Sequence, residues 1–156
     1  MKRQTTVLLA AAALFSIGWM AGAAGEGPGH RRLNLQGRSE DLPFSHAVLA
    51  GETLYLAGGI GIDPATGRAP GDVKREVTLL LDDMKAKLDL AGMSMDDLVS
   101  VQVFCSDLSL YDPFNAIYRT YFTRGFPARA FIGSGTLLFG GRFEILGVAI
   151  KAGRPM

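Results

Sequence analysis

The sequence predicts an α+β domain in which one mixed β-sheet carries two helices on a single face. Three observations lead there. Five short runs are β-rich, at 44–50, 53–57, 98–105, 129–134 and 142–152. One long segment, 72–91, repeats its apolar residues at helical spacing, and a shorter one opens at Asp112-Pro113. The resulting order, β-β-α-β-α-β-β, fits a mixed sheet covered by two helices. Such a layout leaves the other sheet face bare, and a bare apolar face needs a partner, so it implies self-association.

Ahead of these elements lies a different kind of segment. Lys2 and Arg3 form a basic start, residues 7–20 are apolar and rich in Ala and Leu, and Ala21-Gly22-Ala23 is a small-x-small sequence. Together they read as a signal peptide over residues 1–23, so the mature chain is expected to be exported, periplasmic or secreted. An uncleaved anchor is the alternative, because the apolar stretch approaches the length of a membrane span. After cleavage no stable membrane association is expected. Residues 24–41 read as a mobile polar leader, and 42–156 as the folded domain.

The first two strands, 44–50 and 53–57, are joined by Gly51-Glu52, a hairpin turn. Gly58, Gly59 and Gly61 follow, then the turn formers Asp63-Pro64-Ala65-Thr66-Gly67. In the 72–91 helix, Val73, Val77, Leu80, Leu81, Met84 and Leu88 make one stripe, Asp72 is the N-cap and Gly92 the left-handed residue beyond the end. Along 98–105, Val99, Val101 and Val103 alternate against Ser100, Gln102 and Phe104. Asp112 caps the second helix, with Pro113 in its first turn and Phe114, Ile117, Tyr118 and Tyr121 on its buried side. In the last strand Phe143, Ile145 and Ala149 point one way and Leu146, Val148 and Ile150 the other.

Composition narrows the function. The 156 residues are 48% apolar with a formal charge of +1, which suits one globular domain and argues against a nucleic-acid partner, since that calls for a clustered basic face. The lone Cys105 lies in an apolar strand and reads as a small buried hydrophobe. His30 and His46 show no metal-ligand spacing, so no metal is expected. Gly58-Gly59-Ile60-Gly61 lacks the Lys-Ser/Thr of a phosphate loop. Ser45 and His46 are strand neighbours that point to opposite faces, which disfavours a nucleophile–base pair. The aromatic run Phe114, Tyr118, Tyr121 and Phe122 reads as core.

Two residues carry more information. Glu144 shares a strand face with Leu146, Val148 and Ile150, and an ionised carboxylate on such a face is expected to sit at a rim, face a polar cavity, or have a raised pKa; a solvent-exposed glutamate at a strand start is the competing reading. Arg129 opens a β-rich run after Phe126-Pro127-Ala128, and its planar fork suits a carboxylate. An arginine paired with a surface acid is the competing reading. If the last two strands form a hairpin, Arg129 and Glu144 come near each other, and register decides whether they share a face.

Several motifs, in order, resemble the Rid (YjgF-like) family over 42–152: Leu42-Pro43-Phe44-Ser45, the strand end Leu54 to Ile60, Asp97-Leu98-Val99 with Asp107-Leu108, Phe114-Asn115-Ala116-Ile117-Tyr118, and Pro127-Ala128-Arg129 followed by Glu144-Ile145. The resemblance implies a chorismate-mutase-like protomer, with a mixed six-stranded sheet and two helices on one face. It implies a homotrimer with sites between subunits, no cofactor, and hydrolysis of 2-imino (enamine) acids to 2-keto acids and ammonia. Arg129 would hold the substrate carboxylate and Glu144 would position or activate water; Phe44, Gly58, Gly59, Asn115 and Phe131 would line the substrate site. The chain departs from the family pattern at Phe44 for the usual tyrosine, Gly59 for glutamine and Leu146 for a second acid. The alternative is a trimeric protein that binds a small carboxylate without turning it over.

Overall fold

The computed structural model describes residues 29–37 and 41–151. The predicted signal peptide, part of the predicted leader and the last five residues lie outside them. Among the described residues, six strands form one sheet: β1 (Arg31–Leu33), β2 (Ala47–Ala50), β3 (Thr53–Ile60), β4 (Leu98–Cys105), β5 (Ala128–Gly133) and β6 (Phe143–Ile150), in the spatial order β1-β2-β3-β6-β4-β5. Every neighbouring pair is antiparallel except β4–β5, which is parallel. The helices are α1 (Val73–Asp89) and α2 (Tyr111–Tyr118). None of the described helices is long and apolar enough to cross a membrane.

The α1 prediction holds in detail. Asp72 accepts a hydrogen bond from the Arg75 N–H, and Val77, Leu80, Leu81, Met84 and Leu88 are buried. At the far end Gly92 takes φ 67°, and the Gly92 and Met93 N–H groups donate to the Asp89 and Leu88 carbonyls. That pattern satisfies carbonyls the helix leaves free, and glycine adopts the required backbone without a Cβ penalty.

Elsewhere tertiary context moves the boundaries. β1 lies inside the stretch expected to be a mobile leader, so the fold starts before Leu42. Three residues are too few to show an alternation. Their place is set by pairing with β2, by Leu33 packed on the core, and by a clasp in which the Leu35 N–H donates to His46 Nδ1 and the His46 N–H to Asn34 Oδ1, both at 3.0 Å. β3 runs through Gly58 and Gly59 to Ile60, with a register shift between Leu56 and Gly59, because β6 supplies partners there. A shift between Leu98 and Ser100 also throws Val99 out of phase, leaving it exposed while Leu98, Val101 and Val103 enter the core. α2 starts at Tyr111, directly after a 3-10 turn (Leu108–Leu110) that Asp107, not Asp112, caps.

The possible β5–β6 hairpin does not form. β4 lies between these strands, pairing parallel with β5 and antiparallel with β6. Both helices pack on one sheet face, over Leu54, Val101, Val103, Phe143 and Ile145, each at most 1% exposed. The opposite face carries Tyr55 and Ile150, which are exposed, and Leu146 and Val148, which are half-buried. Among the described residues no helix covers it, as the element order predicts.

Candidate active site

Arg129 stands on the edge strand β5, in register with buried Val101, so its side chain rises on the helix-covered face. There Arg129 Nη2 donates to Asn115 Oδ1 of α2 at 2.7 Å. The guanidinium carbon lies 4.6 Å from the Tyr118 ring centroid, 5.5 Å from Phe131, 5.8 Å from Tyr111 and 5.9 Å from Phe114. Among the described residues it has no ion pair with an acid, so the surface-pair reading does not hold. A cation ringed by aromatic faces keeps its charge available while losing water. Beside it opens a cavity of about 250 Å³ lined by Asn115, Tyr118, Arg119, Phe126, Pro127 and Arg129. Phe131 supports this cluster, packing edge-on against Tyr111 and Phe114 at 5.0 and 5.4 Å.

Tyr118 is only 3% exposed. Burial pushes its phenol up to about 12, and the Arg129 charge beside it pulls only partly back. Its aromatic spacing on α2 reads as core in the sequence. The signal that could have singled it out is its place three residues after Asn115, on the same helix face.

Glu144 belongs to a second cluster. It alternates with the buried Phe143 and Ile145, so it rises on the face free of helices. A methyl group at Gly58 would run into its Oε1, which puts the carboxylate directly over that glycine. Past Ala57, whose N–H donates to the His46 carbonyl, β2 no longer covers the edge of β3. Around that open edge lies a cavity of about 660 Å³, and its walls include Phe44, Gly58, Gly59, Lys87 and Glu144. Of the alternatives weighed for Glu144, the structure supports a place on a cavity wall.

Gly59 faces the other way, toward α1. A Cβ on it would come within 2.7 Å of Asp83 Oδ2 and 3.0 Å of Lys87 Nζ. Those two form an ion pair at 2.7 Å with the Lys87 side chain 5% exposed. Lysine is rarely buried without such a partner. The room made by glycine at position 59 is therefore filled by a charged pair that the sequence reading did not connect with it.

The predicted residues thus fall into two groups. Arg129, Asn115 and Phe131 occupy one cavity's surroundings; Phe44, Gly58, Gly59 and Glu144 occupy the other's. Arg129 is in register with Val101 and thereby with Gly147, so two strand spacings of about 4.8 Å and three residues of about 3.3 Å separate its Cα from that of Glu144. The two side chains also leave the sheet on opposite faces. One chain does not bring them into a common site. Cys105 is buried as expected, its Sγ 3.0 Å from the Asp107 carbonyl, and burial pushes its thiol pKa up.

Over 110 residues, covering 70% of this chain and 80% of each relative, the protein is 38% identical to the 2-iminobutanoate/2-iminopropanoate deaminase of Homo sapiens and 36% identical to that of Bos taurus. The crystal structure of the YjgF gene product of E. coli superposes with a TM-score of 0.71 at 28% identity, covering 78% of this chain and 99% of that one. RidA of an Antarctic Psychrobacter gives 0.68 at 29%, over 76% and 99%. The sequence model described as Endoribonuclease L-PSP matches residues 39–151, and the chain belongs to that family, the family of the YjgF and Rid proteins.

Proposed function

We propose that this protein is a hydrolytic deaminase of reactive 2-imino and enamine acids, releasing 2-keto acids and ammonia. The observation that carries the reading is Arg129, a guanidinium held by Asn115 within aromatic rings, beside a cavity and with no carboxylate of its own among the described residues. Such a group is ready for the carboxylate of a small substrate. The identity to proteins named as 2-iminobutanoate/2-iminopropanoate deaminases supports the same substrate class.

The chemistry needs little beyond placement. Protonated at nitrogen, the C=N carbon is electrophilic. Glu144 takes a proton from a water as that oxygen adds to the carbon. The carboxyl proton then passes to nitrogen; as the C–N bond breaks and ammonia leaves, the Glu144 carboxylate takes the hydroxyl proton and the C=O forms. Orientation of water and imine is worth several orders of magnitude in rate, and one carboxylate serves as base and then acid. Hydrolysis consumes only water, so the scheme calls for no cofactor.

Because Arg129 and Glu144 lie on opposite sheet faces, the working site in this reading combines the Arg129 cluster of one protomer with the Glu144 cluster of another. A homotrimer packed through the bare sheet face provides such junctions. The reading extends to export of the mature chain after removal of residues 1–23, which N-terminal sequencing of the protein recovered from a fractionated cell would test.

The activity test uses 2-imino acids generated in situ by an amino-acid oxidase. The expected result is keto-acid release faster than the spontaneous rate, lost in Arg129→Ala and in Glu144→Gln. Keto-acid stabilisation without any acceleration would instead favour a carboxylate-binding protein that does not turn its ligand over.

A further inference from the structure

We infer that the Tyr118 hydroxyl is a second anchor for the substrate, donating its hydrogen bond to a carboxylate oxygen held by Arg129. The inference rests on the carboxylate-binding reading of Arg129 and extends it to a residue whose sequence pattern assigns it to the core. Tyr118 Oη is buried, and among the described residues its proton finds no acceptor; the Arg129 guanidinium beside it can only donate toward the oxygen. Buried hydroxyls are almost always satisfied, and an orphan calls for a specific explanation.

The surroundings supply one. Phe114, Phe122 and Phe126 enclose the ring at centroid distances of 5.6, 4.7 and 6.4 Å and offer no acceptor. Arg129 lies against the same ring, but a guanidinium only donates, so it leaves the phenol proton unspent. Asn115 Oδ1, the nearby side-chain acceptor, accepts from Arg129 Nη2 and takes no bond from the Tyr118 hydroxyl. Tyr118 and Arg129 therefore present several donors on the wall of one cavity. A carboxylate is an acceptor-only group with two oxygens in a plane. One oxygen on the guanidinium and one shared with the phenol would satisfy both residues. The same burial that raises the phenol pKa keeps it a donor across the neutral range.

Tyr118→Phe tests this, because it removes one oxygen and keeps the ring packing. Three readouts are taken on wild type and variant: thermal melting of the free protein, the rise in melting temperature with excess pyruvate, and kcat and KM for an in situ 2-imino acid. The expected pattern is an unchanged or higher melting temperature for the free variant, since an unsatisfied hydroxyl has been removed. Alongside it KM should rise about tenfold with kcat within about twofold, and the pyruvate effect should shrink. A variant whose KM and pyruvate response match wild type overturns the inference while the deaminase reading stands. So does a free variant that melts well below wild type, which would mean the hydroxyl is bonded internally. A wild type that neither turns over imino acids nor responds to pyruvate removes both.

Discussion

Asn115 shows how much of this site lies in residues that hold other residues. Its Oδ1 fixes one edge of the Arg129 guanidinium at 2.7 Å, and the side chain is 8% exposed. Asn115→Ala should let the guanidinium wander and raise KM for a 2-imino acid about tenfold, since a hydrogen bond to a charged group contributes ~1.5–3 kcal/mol. Asn115→Asp is the sharper experiment. It keeps the shape but gives Arg129 an internal carboxylate that competes with the substrate's. KM should rise further than in the alanine variant while thermal stability is kept, so steady-state kinetics and a melting curve separate positioning from folding. A pH effect belongs to Tyr118. Its phenol titrates near 12 in the folded chain and near 10 when unfolded. The unfolded state therefore loses the proton first as pH rises. Stability that is complete below pH 10 should decline from pH 10 to 12, and a pH series of urea midpoints should show a shallower decline in Tyr118→Phe. Asn115 was legible in the sequence through its motif. Tyr118 was not, because an aromatic at helical spacing looks the same whether its hydroxyl is spare or solvated.

At the scale of elements, α1 organises both the core and the two strand ends beside Glu144. Glu76, 0% exposed, accepts from Arg142 Nε and from the Arg142 N–H, both at 2.6 Å, and from the Phe143 N–H at 3.3 Å. Arg142 goes on to donate to the carbonyls of Pro70 and Gly71. This pins the start of β6 two residues before Glu144. Glu76→Ala should cost about 3–5 kcal/mol, because a partly buried cation and two N–H groups lose their acceptor; urea unfolding would measure it. About two and three turns further along α1, Asp83 and Lys87 fill the space under Gly59. Gly59→Gln, which restores the usual family residue, should therefore destabilise by about 1–3 kcal/mol through overpacking. Adding Lys87→Met should recover most of that loss. α1 was readable because its stripe, cap and terminal glycine are all local signals. The β5–β4–β6 arrangement was not, since inserting β4 between two later strands is a long-range choice that neither strand's own pattern encodes. β1 escaped notice for the same reason, being held by β2 and His46 rather than by any periodicity of its own.

For the whole molecule, the decisive fact is that the sheet separates the two halves of the candidate site. The bare-face inference was available from element order alone, but the split was not, because it needs the register that puts Arg129 beside Val101 and Glu144 beside Phe104. That sheet face carries apolar side chains, Leu146 and Val148 on β6 and Tyr55 on β3, and the proposed trimer would bury them. Val148→Glu should then give monomers by sedimentation velocity and abolish turnover with Arg129 and Glu144 both intact. Mixing gives a stricter test. Arg129→Ala and Glu144→Gln should each be inactive alone, since every junction lacks one partner. Co-refolded in equal amounts, they form mixed trimers in which a junction can draw its arginine from one variant and its glutamate from the other. Random assembly makes about one quarter of junctions complete, so activity should return to about that fraction of wild type. If each chain built its whole site internally, no mixture of the two could regain any activity, because no chain in it would carry both residues.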